Sequence, residues 1–156
     1  MHTLLNTSAL TIRPATAADI EPIAILLGVL FAQEHDFSPN MDKQREGVTR
    51  IITEPSRGTI LVAESNEQII GSCCLIWSES TFLGTAAAWL EDVIVHPDHR
   101  GRDIGKQLVA NALATAQAHG CMRVNLLTDA DNTRAQRLYE HHGFKRSQML
   151  LYRNYF

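Results

Sequence analysis

The stretch Trp89 to Lys106, WLEDVIVHPDHRGRDIGK, constrains this chain more than any other. Val93, Ile94 and Val95 are β-branched and stand just before Pro97, so the first half reads as a strand that ends there. The second half is a turn rich in Gly and Arg that opens onto an apolar-periodic helix from Ile104. Strand, basic glycine-containing turn and helix N-terminus, in that order, make an anion site. Glycine allows close backbone approach, the first helical amides lack internal partners, and the helix dipole favours negative charge. Arg100, Arg102 and Lys106 add cationic side chains, so a diphosphate suits the turn.

Other segments carry matching features in the same order. Arg100-Gly101-Arg102-Asp103-Ile104-Gly105 resembles the R-x-x-G-x-G/A coenzyme A signature of the GNAT superfamily of N-acetyltransferases. Asn132 to Tyr139, NTRAQRLY, followed by Gly143-Phe144, is similar to that superfamily's N-x-x-A-x-x-L-Y and GF motif. Leu90-Glu91-Asp92 resembles the L-E-D of polyamine-acetylating members and many bacterial relatives, and Ile12 to Thr16 matches a common opening. Asp103 stands where the pattern has its middle glycine. A carboxylate there either caps the helix, turning to solvent and pairing with Arg102, or competes with the diphosphate for the same amides.

The length, 156 residues, fits one domain over 1–156 with a substantial core. The formal charge of −3 gives no global basic field for nucleic acid; positive charge is local, at 100–106 and 134–146, as suits a small anion. Cys73, Cys74 and Cys121 form no C-x-x-C and leave an odd thiol, which fits a reducing cytoplasm. No basic-then-apolar leader opens the chain, and the apolar run Ile23 to Ala32 is too short to span a bilayer, so no membrane partner is expected.

In chain order, Ala9 to Arg13 reads as a strand stopped by Pro14, and Asp19 as the N-cap of a helix with Ile20, Ile23, Ala24, Leu27, Leu30 and Phe31 at helical spacing. Ile25, Leu26 and Val29 form a second apolar face, for core packing, partner contact or part of an acceptor cavity. Met41 to Thr53 reads as a second helix, with Glu34 and Asp36 in the link before it, where they either attract a cationic amine or lie solvated. Thr59 to Glu64 and Ile69 to Trp77 form a hairpin, Ser78 to Thr85 a loop, and Ala86 to His96 the central strand. After the helix from Ile104, which Gly120 ends, come a strand over Met122 to Leu127, a short helix capped by Asn132, and one or two closing strands within Phe144 to Phe156. Strands interleaved with helices give an α/β (α+β) class. The resemblance makes this a GNAT fold: a mixed, mostly antiparallel sheet of about six or seven strands, flanked by about four helices and splayed where cofactor enters.

The resemblance implies acetyl-coenzyme A as co-substrate, held by Arg100, Gly101, Arg102, Asp103, Ile104, Gly105 and Lys106, by Asn132, Ala135 and Tyr139, and by backbone groups of Val93, Ile94 and Val95 that pair with the pantetheine arm. An amide near Val93 would polarise the thioester carbonyl. Glu91 is the candidate base, since an ammonium must lose a proton before it attacks and a partly buried carboxylate has a raised pKa. Asp92, expected on the opposite strand face, is the fallback. Tyr139, about two helical turns from Asn132, is the candidate acid for the departing thiolate. Neither neighbouring cysteine has an activating partner, so no acyl-cysteine step is expected. His96-x-x-His99 and His141-His142 lack a third ligand, so no metal is expected. The expected partner is a small-molecule amine acceptor, with a homodimer as an option. The alternatives to a small-molecule N-acetyltransferase are a non-catalytic acyl-coenzyme A binding or sensing domain and a protein or peptide N-acetyltransferase.

Overall fold

Apolar and β-branched runs set between turn residues become the strands, and the amphipathic segments become helices on both sheet faces. The computed structural model describes residues 9–156. Its elements are β1 (Thr11–Pro14), α1 (Ile20–Gln33), α2 (Met41–Thr53), β2 (Gly58–Ser65), β3 (Gln68–Ser80), β4 (Thr85–Val95), α3 (Ile104–Ala118), β5 (Val124–Leu126) and α4 (Thr133–His141). Short 3-10 turns lie at Ala17–Asp19 and Pro97–His99. The leader expectation concerns the start of the chain, where residues 1–8 lie outside the described residues.

The strands form one sheet in sequence order, antiparallel except for the parallel β4–β5 pair. This is the mixed, mostly antiparallel α/β sheet expected, with five strands among the described residues rather than six or seven. The closing strands expected within Phe144 to Phe156 do not form, and residues from Lys145 onward are exposed. The strand beside them has only three residues, so it offers a short ladder to pair with. Chain 144–156 is held elsewhere: Arg153 Nη1 donates to Asp36 Oδ2 at 2.6 Å, and its guanidinium lies 5.4 Å from the centroid of the Phe37 ring. The strand expected over Met122 to Leu127 shortens for a related reason, since Met122 and Leu127 are both exposed.

Alternation along the central strands builds two cores. Leu61, Ala63, Cys73, Leu75 and Leu90 face α3 and pack with Leu108, Val109 and Ala112. Ile60, Val62 and Cys74 face the other way, against Ile23 and Leu27 of α1 and Val48 of α2. Each fully buried Leu, Val or Ile contributes about 1.5–3 kcal/mol relative to exposure. Leu26 of the second apolar face of α1 is buried, while Ile25 beside it is exposed.

Local chemistry sets the turns. Asn66 and Glu67, both at positive φ (50° and 61°), make the two-residue connection of the β2–β3 hairpin, in the hand that matches strand twist. The expected loop from Ser78 shrinks, because β3 continues to Ser80 and β4 starts at Thr85. Asp19 occupies the N-cap position of α1 without capping it. Its carboxylate instead accepts from Arg13 Nη1 at 2.7 Å, Arg13 Nη2 at 3.0 Å and the Thr16 amide at 2.7 Å, pinning β1 to the start of α1.

Candidate active site

The site is built where β4 leaves its neighbours. On one side β4 pairs with β5 only over Ala88 to Leu90, so Glu91 to Val95 run on beyond the end of that ladder and the sheet opens into a wedge. On the other side, the register with β3 goes from Cys74↔Glu91 to Ser72↔Ile94: three steps on β4 against two on β3. One extra residue is therefore inserted as a bulge, with Asp92 in the left-handed region at φ 55°. Asp tolerates that conformation better than a β-branched residue does.

The bulge corrects the expectation that Glu91 and Asp92 point to opposite faces. Glu91 is opposite Cys74, which belongs to the α1/α2 face, and Asp92 lines a cavity on that same face. Val93 and Val95 turn to the α3 side and pack there.

Below the wedge the anion turn is formed as its sequence requires. Gly101 sits at φ 80°, where a side chain would be strained, and Asp103 at φ 59° precedes Ile104. The α3 ladder begins with the Gln107 amide donating to Asp103 O at 3.1 Å, so the amides of Ile104, Gly105 and Lys106 come before it and remain available to an anion. Asp103 does not use its carboxylate as a cap. It pairs with Lys106 Nζ at 3.5 Å rather than with Arg102, and is largely exposed. A residue in the left-handed region has its side chain aimed away from the amides that an extended-backbone N-cap would reach. Arg100 fastens the mouth: its Nε donates to Val95 O at 3.2 Å and its Nη2 to Gln33 Oε1 at 3.4 Å. The guanidinium therefore rests on the carbonyl that the sequence reading gave to the pantetheine arm.

The far wall is α4. Asn132 caps it, its Oδ1 accepting from the Ala135 amide at 3.1 Å. Leu138 of α4 packs on the first turn of α3 where residue 105 is Gly; a Cβ there would lie 3.5 Å from Leu138 Cδ2, an ordinary contact that admits Ala. Tyr139 stands edge-on to Phe144, ring centroids 5.9 Å apart, and joins the α3-side core.

Residues 29–144 match the profile of the acetyltransferase (GNAT) family. The chain belongs to that family. It is similar to the aminoalkylphosphonate N-acetyltransferase of Salmonella typhimurium, 26% identical over 87% of this chain and 85% of that protein. It also matches mycothiol acetyltransferases; that of Saccharopolyspora erythraea is 32% identical over 57% of this chain, which covers only 28% of the relative. The chain spans less than a third of the length of the mycothiol acetyltransferases it matches. Among solved structures, an aminoglycoside N-acetyltransferase in complex with CoA superimposes with a TM-score of 0.81 at 19% identity, covering 97% of this chain and 98% of that one. At that identity the likeness is one of fold.

The electrostatics of this GNAT wedge are acidic on the α1/α2 side. Burial, then the charges of Glu91 and Glu34, push the Asp92 carboxyl up to about 7. Burial also raises Glu91 and Glu34, and Asp129 adds to the effect at Glu34. Burial pushes the Tyr139 phenol up to about 12, so it keeps its proton at neutral pH. Cys73 and Cys74 are buried free thiols whose pKa values burial raises, in keeping with packing roles.

Three features escaped the sequence reading. Glu34, for which the sequence left amine attraction and a solvated loop both open, sits half-buried at the end of α1 beside this cluster, a burial the sequence did not signal. His35, Asp129 and Asp131 bring ligating atoms within 4.8 Å of one another, and Asp131 raises the His35 pKa. No spacing signals a cluster whose members are so far apart in sequence. The third is the cavity lined by Asp92: its α1 wall is Ile23, Leu27 and Phe31 of the first apolar face, whereas Ile25, Leu26 and Val29, offered as part of an acceptor cavity, do not line it.

Proposed function

We propose that this chain is an acetyl-coenzyme A-dependent N-acetyltransferase that acetylates a primary amine of a small molecule. The observation that carries the reading is Asp92: a half-buried carboxyl on a bulge at the open edge of β4, its pKa pushed up to about 7, with Tyr139 on the other side of the sheet. Family membership and the similarity to an aminoalkylphosphonate N-acetyltransferase support it.

The chain's own groups divide the work as follows. The amides of Ile104, Gly105 and Lys106, with Arg100, Arg102 and Lys106, hold the diphosphate of the co-substrate. Gly101 and Asp103 shape that turn, Asn132 and Ala135 set the start of α4 beside it, and the edge of Val93, Ile94 and Val95 receives the pantetheine arm as an added strand. Asp92, with Glu91 raising its basicity, takes a proton from the acceptor ammonium. The freed nitrogen attacks the thioester carbonyl carbon, and the Val93 amide donates to the oxygen as negative charge develops there. Tyr139 then gives its proton to the sulfur as the C–S bond breaks, the second proton shed by the attacking nitrogen restores the phenol, and a neutral N-acetylamine leaves with coenzyme A.

A non-catalytic binding domain rested on Asp103 competing with the diphosphate. That carboxylate makes no cap bond and pairs with Lys106, which removes the direct competition for the helix amides on which this second reading rested. The test is release of free thiol from acetyl-coenzyme A against a panel of amines, with calorimetry of coenzyme A binding. Thiol release that depends on an amine and is lost in Asp92→Asn supports the reading; tight coenzyme A binding with no acceptor-dependent release rejects it.

A further inference from the structure

Between α1, α2 and the sheet lies a cavity of about 290 Å³, of the size of a small-ligand pocket. Leu27, Phe31 and Phe37 form one side, Val48 and Ile51 the other. The polar groups along it are mostly committed already. Gln44 donates to Ala24 O at 2.9 Å and accepts from the Asn40 amide at 2.6 Å, while Asn40 caps α2 through the Lys43 amide at 3.1 Å. Ser38 and Lys43 also line it but are exposed to solvent, and two further groups, on its floor, are uncommitted. Ser72 is 2% exposed and its hydroxyl has no hydrogen-bond partner among the described residues, and neither does the Asp92 carboxyl. Ser72 is opposite Ile94, on the face to which the bulge turns Asp92.

A ligand that satisfies this floor brings one ammonium, donating to both the carboxylate and the Ser72 oxygen. A ligand that satisfies the walls has no further polar groups. Glu91 and Glu34 add negative charge beside Asp92 but do not line the cavity, so a second ammonium carried into it would lie among Leu27, Phe31 and Val48 or beside the cation of Lys43, and sugar hydroxyls would be buried among apolar walls. Resting on the transfer reading above, we infer that this cavity is the acceptor pocket and selects a single primary amine on an apolar body, an arylalkyl or branched-alkyl monoamine, over polyamines and aminoglycosides.

Gly47 supplies the test. It lines the cavity from within α2, and a Cβ added there meets nothing within 4 Å, so Gly47→Phe fills the space while suiting the helix. Phenethylamine, spermidine and kanamycin are compared by thiol release and by calorimetry on the coenzyme A complex. Phenethylamine is expected to lead in kcat/KM by about tenfold or more. Gly47→Phe should weaken phenethylamine by about tenfold, with coenzyme A affinity unchanged. If that variant does not fold, Ser72→Ala, which only removes the hydroxyl, should weaken phenethylamine several-fold. If phenethylamine binds and the variants weaken it but no amine is turned over, the ligand class stands and the transfer reading falls. A preference for spermidine or kanamycin, no binding of phenethylamine, or binding that ignores the variants overturns the inference.

Discussion

Glu91 and Asp92 are consecutive on β4 yet lie on the same face of the sheet, because the extra residue of the bulge cancels the alternation that would part them. Two neighbouring carboxyls resist ionising together, which gives Glu91 a defined influence on Asp92. Asp92→Asn should lower kcat by about 10²-fold or more, the size of a lost general base. Glu91→Gln should keep activity and move the acid limb of the pH–rate profile to lower pH, since a charge that raises the Asp92 pKa is gone. Rate profiles of the two variants check this; equal losses in both would assign the proton transfer to the pair rather than to Asp92.

The same carboxyl makes stability depend on pH. Its folded pKa of about 7 lies above the ordinary value of 3.8, so between those values the folded protein binds the extra proton and the unfolded chain does not. Stability therefore falls as pH rises from about 4 to 7 and levels off above, at about 1.4 kcal/mol per unit of pKa difference before solvent screening reduces it. Glu91 and Glu34, whose carboxyls burial also raises, add to the slope. Asp92→Asn should consequently raise Tm at pH 8 and have little effect at pH 4. A variant equally shifted at both pH values would place the effect in packing.

Tyr139→Phe tests the acid. Burial holds the phenol protonated at neutral pH, and the ring keeps its edge-on contact with Phe144 in the variant. The expected outcome is an unchanged Tm with kcat reduced by about 10²-fold. The loss should be smaller with thioesters whose thiols are more acidic, because their thiolates leave without a proton. A uniform loss across leaving groups would make Tyr139 a positioning residue.

What the sequence disclosed and what it hid differ by range. Local signals were legible: the strand before Pro97, the turn at Gly101, the Asn132 cap and the Gly120 stop depend on residues near each other in the chain. The bulge was not, since Val93, Ile94 and Val95 fit regular and bulged strands alike, and the misplaced Asp92 side chain followed from assuming strict alternation. The failure of strands in Phe144 to Phe156 was hidden too. The tie between Arg153 and Asp36 joins residues 117 apart, and no periodicity within the tail announces it. Ser72 reads in the sequence as one polar residue of a strand; only the packing of α1 and α2 over it leaves its hydroxyl alone on a cavity floor.

Asp103 is the place where this chain departs from the family signature, and the backbone there reverses a simple capping argument. From sequence, Asp at a helix start satisfies an amide, and replacing it by Gly costs a few tenths of a kcal/mol. In the structure Asp103 makes no cap bond, lies at φ 59°, and offers Lys106 an exposed ion pair at 3.5 Å that contributes little. Glycine adopts that backbone without penalty, while L-residues give up about 1–2 kcal/mol in the left-handed region, Asp less than most. Against this, glycine loosens the unfolded chain by about 0.4–1 kcal/mol. Asp103→Gly should therefore leave Tm unchanged or slightly higher. It should also tighten coenzyme A, because a negative charge leaves the turn and Lys106 is released toward the diphosphate. The gain should shrink from low to high salt, as an exposed charge is screened. Calorimetry at two ionic strengths with a thermal melt decides the matter: a clear fall in Tm would restore the capping role, and an affinity that salt does not touch would remove Asp103 from the electrostatics of the turn.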